Sequence, residues 1–422
     1  MISPLLCALL LAPTDTVRPA FASASLGEDS PLVTMMAHAA PPPAAIGHEL
    51  ASAASVGLSF GGLLRAEEAV RAEVRRGAFP GAALAIGRRD KVVVEMGLGF
   101  AGWGPQEAEV DPDNTVYDLA SLTKVVAATT AVMLLVEDGR MSLDVPVARY
   151  LPEFQGPSKG RVTIRHLLTH TSGLPAGAEI WAPAPAGSLA RAIAVPLKYA
   201  PGAKVEYSDI GFIVLWAAAE RAAGQPLFRL LDERVFSPLG MLSTTFLPGD
   251  GCSRCAPTGR LPDGTVLRGR VHDLNARRLG GIAGHAGLFS TAHDLTRFAS
   301  MLASGGELEG VRVLQEETIR LFTRRQPAAR TRALGWDTPP AAPASATTGA
   351  AGARISPRAF GHTGFTGTSL WIDPDRGTWV VLLANRTYQP RASNNIQALR
   401  RTVIDRVALA VDGAGPATVR AR

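Results

Sequence analysis

The chain has 422 residues, of which 46% are hydrophobic and 19% are charged, and its formal net charge is +6. These values are typical of a globular protein with room for one large domain or two modest ones and for a substantial core. Because the basic residues are scattered, without a run of five or more, we expect no nucleic-acid partner.

The N-terminal segment, residues 1–58, is predicted to be a leader and linker rather than part of a folded domain. It opens with MISPLLCALLLAP, an apolar run of signal-peptide length, and A-x-A cleavage patterns follow at 20–22 and 22–24. No Lys or Arg precedes that run, since the first basic residue is Arg18. We expect a signal peptide near 1–24, a periplasmic or secreted location, and no further membrane span.

The chain contains three cysteines, Cys7, Cys252 and Cys255. The last two have C-x-x-C spacing, but no second pair is present to complete a zinc site. The spacing therefore favours a local disulfide in an oxidising compartment, ahead of free thiols and of redox chemistry.

The pattern from residue 59 to 412 predicts one domain of mixed architecture. A helix over about 62–77 is followed by a hairpin around the turn Arg88 to Asp90. Further helices are expected at 163–173, 211–224, 291–302 and about 392–410, a surface loop at 338–353, and strands in AFGHTGF, TSLWIDP and TWVVLLANR. Strands at both ends of the chain imply one antiparallel sheet, with sheet parts at about 59–115 and 275–412. The fold class is α/β plus all-α, with an inserted helical part at about 120–270.

A lysine stands directly before a strongly apolar run in YDLASLTKVVAATTAVMLLV, residues 117–136. Among the twelve residues after Lys124, only Thr129 and Thr130 have polar side chains, so the run predicts a buried helix. Either Asp118 or Ser121 is expected to cap its start. Desolvation of an ammonium group costs free energy, so we expect Lys124 to be neutral near pH 8.

Ser121 precedes Lys124 by three residues, which places both side chains on one helix face. A hydroxyl beside an amine of lowered pKa is an activated serine nucleophile. The competing interpretation is a capped helix with a solvated lysine, because S-x-x-K by itself is common.

Two later stretches could supply the rest of an acyl-transfer site. In KVEYSDIGF, Tyr207 precedes an apolar helix capped by Ser208 or Asp209, and it is either a proton relay or a core tyrosine. In FGHTGFTGTSLW, residues 362–364 lie on an expected strand, where glycine lets a substrate backbone approach. The N–H of Phe365 would then meet an oxyanion; the alternative is an edge strand with a satisfied histidine.

Together these stretches resemble the serine β-lactamase and DD-peptidase superfamily, in the class C β-lactamase-like branch that also contains esterases. The motifs S-x-x-K, Y-x-N or Y-x-S, and K-T-G or H-x-G appear here in that order as 121–124, 207–209 and 362–364. HLLTHTSGLP, GGIAGHAGLFSTAHDL and FGHTGFTGTSLWIDP look most like the group of penicillin-binding protein 4B. The resemblance covers residues 59 to about 410.

This resemblance implies a β-lactamase/transpeptidase-like fold and an acyl-enzyme mechanism without a cofactor. Its catalytic residues would be Ser121 as nucleophile, Lys124 as its base or as the partner of that base, and Tyr207 as proton relay. The N–H groups of Ser121 and Phe365 would form the oxyanion hole. The substrate-binding residues would be Asp209, His362, Thr363, Gly364 and Phe365.

Two departures from the class C pattern bear on the substrate. Asp209 stands where class C enzymes have Asn, and His362 stands where they have Lys. Because the charge of His362 would vary around pH 6.5, the fixed positive charge facing a substrate carboxylate is weakened. We therefore expect a DD-carboxypeptidase-like enzyme or an esterase, with a weak β-lactamase rather than an efficient one as an alternative, acting as a monomer on a small molecule or a peptidoglycan peptide.

Two alternatives remain. A metallohydrolase could use some of His272, Asp273, His285, His293 and Asp294, but their spacing matches no compact metal motif, and we expect no metal. His285 is instead expected to shape a wall of the site. A penicillin binder that acylates without turnover is the other alternative.

Overall fold

The described part of the chain comprises residues 50–329, 331–340 and 350–412 of the computed structural model. The expected signal peptide, most of the linker and residues 341–349 of the expected surface loop lie outside these ranges. The strands are β1 (Gly81–Arg88), β2 (Lys91–Gly99), β3 (Tyr117–Asp118), β4 (Thr245–Phe246), β5 (Gly259–Arg260), β6 (Val266–Leu267), β7 (Leu288–Ser290), β8 (Glu307–Leu308), β9 (Val311–Arg312), β10 (Phe360–Thr363), β11 (Ser369–Asp373) and β12 (Thr378–Ala384). The helices are α1 (Phe60–Arg75), α2 (Thr130–Glu137), α3 (Ile164–Leu168), α4 (Pro185–Ala194), α5 (Asp209–Ala223), α6 (Leu227–Leu231), α7 (Leu274–Arg278), α8 (Ala292–Ala303), α9 (Glu316–Thr323) and α10 (Ile396–Asp412).

A five-stranded antiparallel sheet joins the two ends of the domain. Its strand order is β10-β11-β12-β1-β2, so the N-terminal hairpin pairs with the last strand of the chain. In that pairing Ala82 lies opposite Ala384, and Arg88 lies opposite Thr378. The expectation of one antiparallel sheet built from both chain ends is confirmed.

Both faces of this sheet are covered, which explains the continuous apolar runs of its central strands. On one face Leu84 and Leu382 belong to a core shared with α1 and α10. On the other face Ala85 and Val381 belong to the larger core that also includes the helical part. Helix α8 packs against β1 and β12 on that second side.

The helical part is built around α5, which is buried along most of its length. Helix α5 contacts α2, α3, α4 and α6. Outside the main sheet, the described residues also form the short sheets β3-β7-β4, β5-β6 and β8-β9, which the sequence pattern did not indicate. The inserted helical part therefore packs beside the main sheet, as the fold class requires.

The segment Ala120–Glu137 is the candidate in the described part of the chain that is long and apolar enough to cross a membrane. However, 83% of it is buried within the fold. Its first residues, Ala120–Leu122, form a 3-10 turn, and Lys124–Thr129 form a π-helix that continues into α2. The segment is thus a core helix with an irregular start, and that start carries Ser121 and Lys124.

Cys252 and Cys255 are joined by a disulfide with a Cα–Cα distance of 5.4 Å. The preference for a local disulfide over free thiols is confirmed. Cys7 lies outside the described residues.

Candidate active site

Ser121 lies on a strained turn between β3 and the π-helix. Ala120, the residue before it, has a φ of 46°, a left-handed conformation that is uncommon for a residue with a side chain. The Asp118 carboxylate holds this turn by accepting the Ala120 N–H at 2.8 Å. Ser121, the other expected cap, has its hydroxyl in contact with Lys124. Such strain clusters at functional sites, and nothing in the sequence indicated it here.

The ammonium group of Lys124 makes three hydrogen bonds in a fully buried position. Its Nζ lies 3.0 Å from Ser121 Oγ, 2.7 Å from Asp209 Oδ1 and 2.9 Å from the carbonyl oxygen of His285. Ser121 and Lys124 are therefore brought into contact, as the sequence predicted. Asp209 reaches the lysine from the first turn of α5.

The expectation that Lys124 is neutral is wrong. Burial by itself lowers the pKa of Lys124, but the Asp209 carboxylate and Tyr207 outweigh this effect, and the pKa is raised. Lys124 is accordingly an ammonium ion at neutral pH. The sequence pattern showed the apolar helix after the lysine, but not the carboxylate brought to it from 85 residues away.

Tyr207 lies beside the lysine at the entrance to α5. Lys124 Nζ is 4.8 Å from the centre of its ring, and the Arg332 guanidinium carbon is 5.2 Å from the same centre. Burial raises the pKa of Tyr207, and its contacts with Lys124 and Ser121 act in the opposite direction. The tyrosine is therefore protonated at rest and can donate a proton. Arg332 was not identified from the sequence.

His170 supports Tyr207 from behind. Its ring centroid is 4.6 Å from that of Tyr207, and its Nδ1 accepts the Ser208 N–H at 2.9 Å. Ser208 in turn caps α5 by accepting the Gly211 N–H at 2.9 Å. Burial holds the pKa of His170 well below its usual value, so the ring is neutral and can accept. HLLTHTSGLP contributed to the family resemblance, but no role for His170 followed from it.

His362 is neutral, contrary to the expectation that its charge varies around pH 6.5. Burial lowers the pKa of His362 to about 4. Its Nδ1 donates to the carbonyl oxygen of Thr363 at 2.9 Å, and its ring centroid is 6.0 Å from that of Tyr207. The strand position was predicted correctly, but the burial that removes the charge depends on the neighbouring chain segments.

Gly364 is required by a close approach within the protein. A Cβ at this position would lie 2.0 Å from Thr368 Oγ1 and 2.3 Å from the carbonyl oxygen of Leu119. The loop after β10 therefore packs directly against the turn that carries Ser121. The approach of a substrate backbone to this glycine stays a prediction.

The loop of residues 364–368, here called the oxyanion loop, is fastened to the nucleophile turn. Thr366 Oγ1 donates to the carbonyl oxygen of Asp118 at 2.7 Å, and Thr368 Oγ1 donates to that of Leu119 at 2.9 Å. Phe365 is 60% exposed, and its N–H has no acceptor within the described residues. That N–H is therefore available to a bound substrate.

The candidate metal ligands of the metallohydrolase alternative contact different partners. His285 Nε2 lies 2.8 Å from Asp273 Oδ1, and the His285 carbonyl holds Lys124, so His285 forms part of the wall of this site. His293 pairs with Glu95 and Asp113 instead. Within the described ranges, the expected ligands do not converge on one point, because His293 groups with Glu95 and Asp113 and not with the other expected ligands.

Comparison with known proteins places this geometry in context. A family model described as Beta-lactamase matches residues 66–403. A protein of Salmonella agona (strain SL483), provisionally named a D-alanyl-D-alanine carboxypeptidase, is 33% identical over 314 residues, which are 67% of this chain and 72% of that protein.

Solved structures share the fold. A penicillin-binding protein homologue from Caulobacter crescentus has a TM-score of 0.68 and 23% identity, covering 84% of this chain and 99% of that one. EstCE1, a hydrolase with promiscuous acyltransferase activity, has a TM-score of 0.66 and 23% identity, covering 82% and 99%. At this level of identity the similarity concerns the fold alone.

Proposed function

This chain belongs to the β-lactamase family of serine hydrolases, and from this premise we propose that it hydrolyses D-alanyl-D-alanine peptides and esters through an acyl-Ser121 intermediate. The observation that carries the proposal is the buried Lys124 ammonium, which lies 3.0 Å from Ser121 Oγ and is held from behind by Asp209 and His285. A serine and a lysine in such contact form a nucleophile and its base.

In the proposed acylation, Lys124 must first lose its proton to solvent. The free amine then takes the Ser121 proton while Oγ bonds to the substrate carbonyl carbon. The carbonyl oxygen, now negative, meets the N–H groups of Ser121 and Phe365. Tyr207 donates its proton to the leaving nitrogen or oxygen and recovers one from Lys124. Water later releases the acyl group by the same proton transfers in reverse.

This site differs from that of an efficient β-lactamase in the positive charge that it offers to a substrate carboxylate. His362 is neutral above about pH 4, so it supplies no cation to a substrate carboxylate. Arg332, near Tyr207, is a cation on that side of the site, and Asp337 partly neutralises it. We infer that the terminal carboxylate of a peptide substrate is held less tightly here than by a fixed lysine, and that neutral esters, which need no cation, are also accepted. The name of the Salmonella relatives supports a D-alanyl-D-alanine peptide as the natural substrate.

The test is a comparison of three substrates with the purified protein. We expect release of D-alanine from a D-alanyl-D-alanine peptide, hydrolysis of a short-chain p-nitrophenyl ester, and slower hydrolysis of nitrocefin than of the ester. A nitrocefin kcat/KM above about 10⁵ M⁻¹s⁻¹, well inside the range of good enzymes, would contradict this selectivity. Stable labelling by a fluorescent penicillin, without turnover of any substrate, would favour the non-turnover binder.

A periplasmic or secreted monomer is part of the same proposal. A D-alanyl-D-alanine peptide belongs to the cell wall, and the Cys252–Cys255 disulfide is the form expected in an oxidising compartment. Cell fractionation and light scattering of the purified protein test the location and the oligomeric state.

The pairing with Asp209 predicts a specific pH dependence. In Asp209→Asn the carboxylate that raises the pKa of Lys124 is absent, so the amine forms at lower pH. We expect the alkaline rise of kcat/KM for a neutral ester to move to lower pH. Because His362 stays neutral, the wild-type profile should lack a limb near pH 6.5.

The matched control is Asp144→Asn, which breaks a surface ion pair with Arg165. Its pH profile should coincide with that of the wild type. An alkaline rise that stays in place in Asp209→Asn would show that the titrating base is a group other than Lys124.

A further inference from the structure

Arg400 is a buried arginine of α10 that serves the oxyanion loop. It is 2% exposed, and its guanidinium donates to the carbonyl oxygens of Gly364 and Thr368, both at 2.7 Å. No carboxylate of the described residues forms an ion pair with it. These two carbonyls belong to the first and last residues of the oxyanion loop, so one cation fixes both ends of it.

An unpaired buried cation is costly, so its position calls for a physical reason. Burial, together with the nearby Arg386, lowers the pKa of Arg400 to about 9. The guanidinium therefore keeps its charge at neutral pH. A fold that only needed to satisfy two carbonyl groups could do so with a neutral donor at lower cost.

The reason lies in the peptide unit that Arg400 contacts. The Gly364 carbonyl and the Phe365 N–H belong to the same planar peptide group, and in the trans form they point in opposite directions. A donor that fixes the carbonyl oxygen on the α10 side therefore fixes the N–H on the other side. A positive charge at the oxygen also polarises the group and strengthens the N–H as a donor.

The neighbouring peptide is fixed in a similar way. Arg386 Nε donates to the Phe365 carbonyl oxygen at 2.7 Å, and its guanidinium lies 4.9 Å from the centre of the Phe365 ring. Because Thr368 also bonds the nucleophile turn, the direction of the Phe365 N–H is set relative to Ser121. Arg400 is the buried member of this arrangement and does not reach the substrate.

We propose that Arg400 is a positioning residue that orients and polarises the Phe365 N–H for stabilisation of the reaction oxyanion. This inference rests on the proposed function, in which that N–H faces the substrate carbonyl oxygen. It assigns to a residue on the final helix a role in transition-state stabilisation.

The test compares Arg400→Met and Arg400→Lys with the control Arg406→Met on the same helix. For a neutral p-nitrophenyl ester we expect kcat/KM of Arg400→Met to fall by about 10²-fold, mainly through kcat, since loss of one oxyanion donor has such an effect. The Ki of phenylboronic acid, which forms a tetrahedral adduct with a serine, should rise by a similar factor. Arg400→Lys keeps the charge but carries its donors on a shorter side chain than the Nη2 that bonds both carbonyls, so it should lie between Arg400→Met and the wild type.

Rates are normalised to the fraction of protein that a fluorophosphonate labels at completion, which removes the effect of unfolded material. If Arg400→Met does not fold, Arg400→Lys carries the test, with an expected loss of at least about tenfold. Normalised kcat and Ki values equal to those of the wild type in a folded Arg400 variant would overturn the inference and leave the proposed function intact. A wild-type protein that neither hydrolyses substrates nor is labelled would overturn both.

Discussion

Replacement of Ser121 by alanine is expected to abolish acylation and to lower kcat/KM for peptide and ester substrates by about 10⁴-fold or more. The change removes the oxygen that lies 3.0 Å from Lys124 Nζ and that would attack the substrate. The fold should be preserved, because Lys124 keeps its hydrogen bonds to Asp209 and His285. Mass spectrometry after incubation with a fluorophosphonate or penicillin measures acylation directly.

The matched control is Ser237→Ala, since Ser237 is an exposed serine whose hydroxyl bonds only the nearby Asp232 side chain. It should be labelled and should turn over substrate like the wild type. Labelling of Ser121→Ala at the wild-type rate would show that another residue is the nucleophile.

Replacement of Lys124 by methionine is expected to lower kcat/KM by about 10⁴-fold, because the base for both half-reactions is lost while an unbranched side chain of nearly the same length is kept. Asp209 loses its ionic partner but remains about one-third exposed, with 33% side-chain accessibility, so water can solvate it. The reduced activity should therefore not arise from unfolding, which a thermal melt of the variant checks.

A second buried lysine provides the control for burial itself. Lys159 is 2% exposed, donates to the carbonyl oxygen of Ile193 at 2.7 Å, and lies 4.8 Å from the centre of the Phe154 ring. Lys159→Met should change the melting temperature but leave normalised kcat/KM within about twofold of the wild type. Equal activities of the two methionine variants would exclude Lys124 as the base.

The main elements of the fold could be predicted from local pattern. The turn at Arg88 to Asp90, the apolar strands of the last third and the helix after Tyr207 appear close to their expected positions. Their signals are short-range: alternation, turn residues and apolar runs. The three motifs likewise indicated Ser121, Lys124 and Tyr207, which the structure brings together.

The charges of the site could not be predicted in this way. An apolar run after Lys124 predicted a neutral amine, and an ordinary histidine predicted a titrating His362. In the structure, Asp209 raises the pKa of Lys124, so the amine is charged. Burial lowers the pKa of His362, so the histidine is neutral. A pKa depends on every group within a few ångströms and on access to water, and distant parts of the chain supply both.

The sequence by itself determined the family, the antiparallel sheet made from both chain ends and the serine–lysine pair, because each depends on residue types at fixed local spacing. Tertiary structure alone decided that Lys124 is charged and His362 neutral, that the turn at Ala120 is strained, and that His170 and Arg400 support the site. These properties arise where segments far apart in sequence pack together, so no local pattern encodes them. Arg400 is the clearest example of such a contact, because it lies on the last helix and bonds the loop through which the reaction oxyanion would be stabilised.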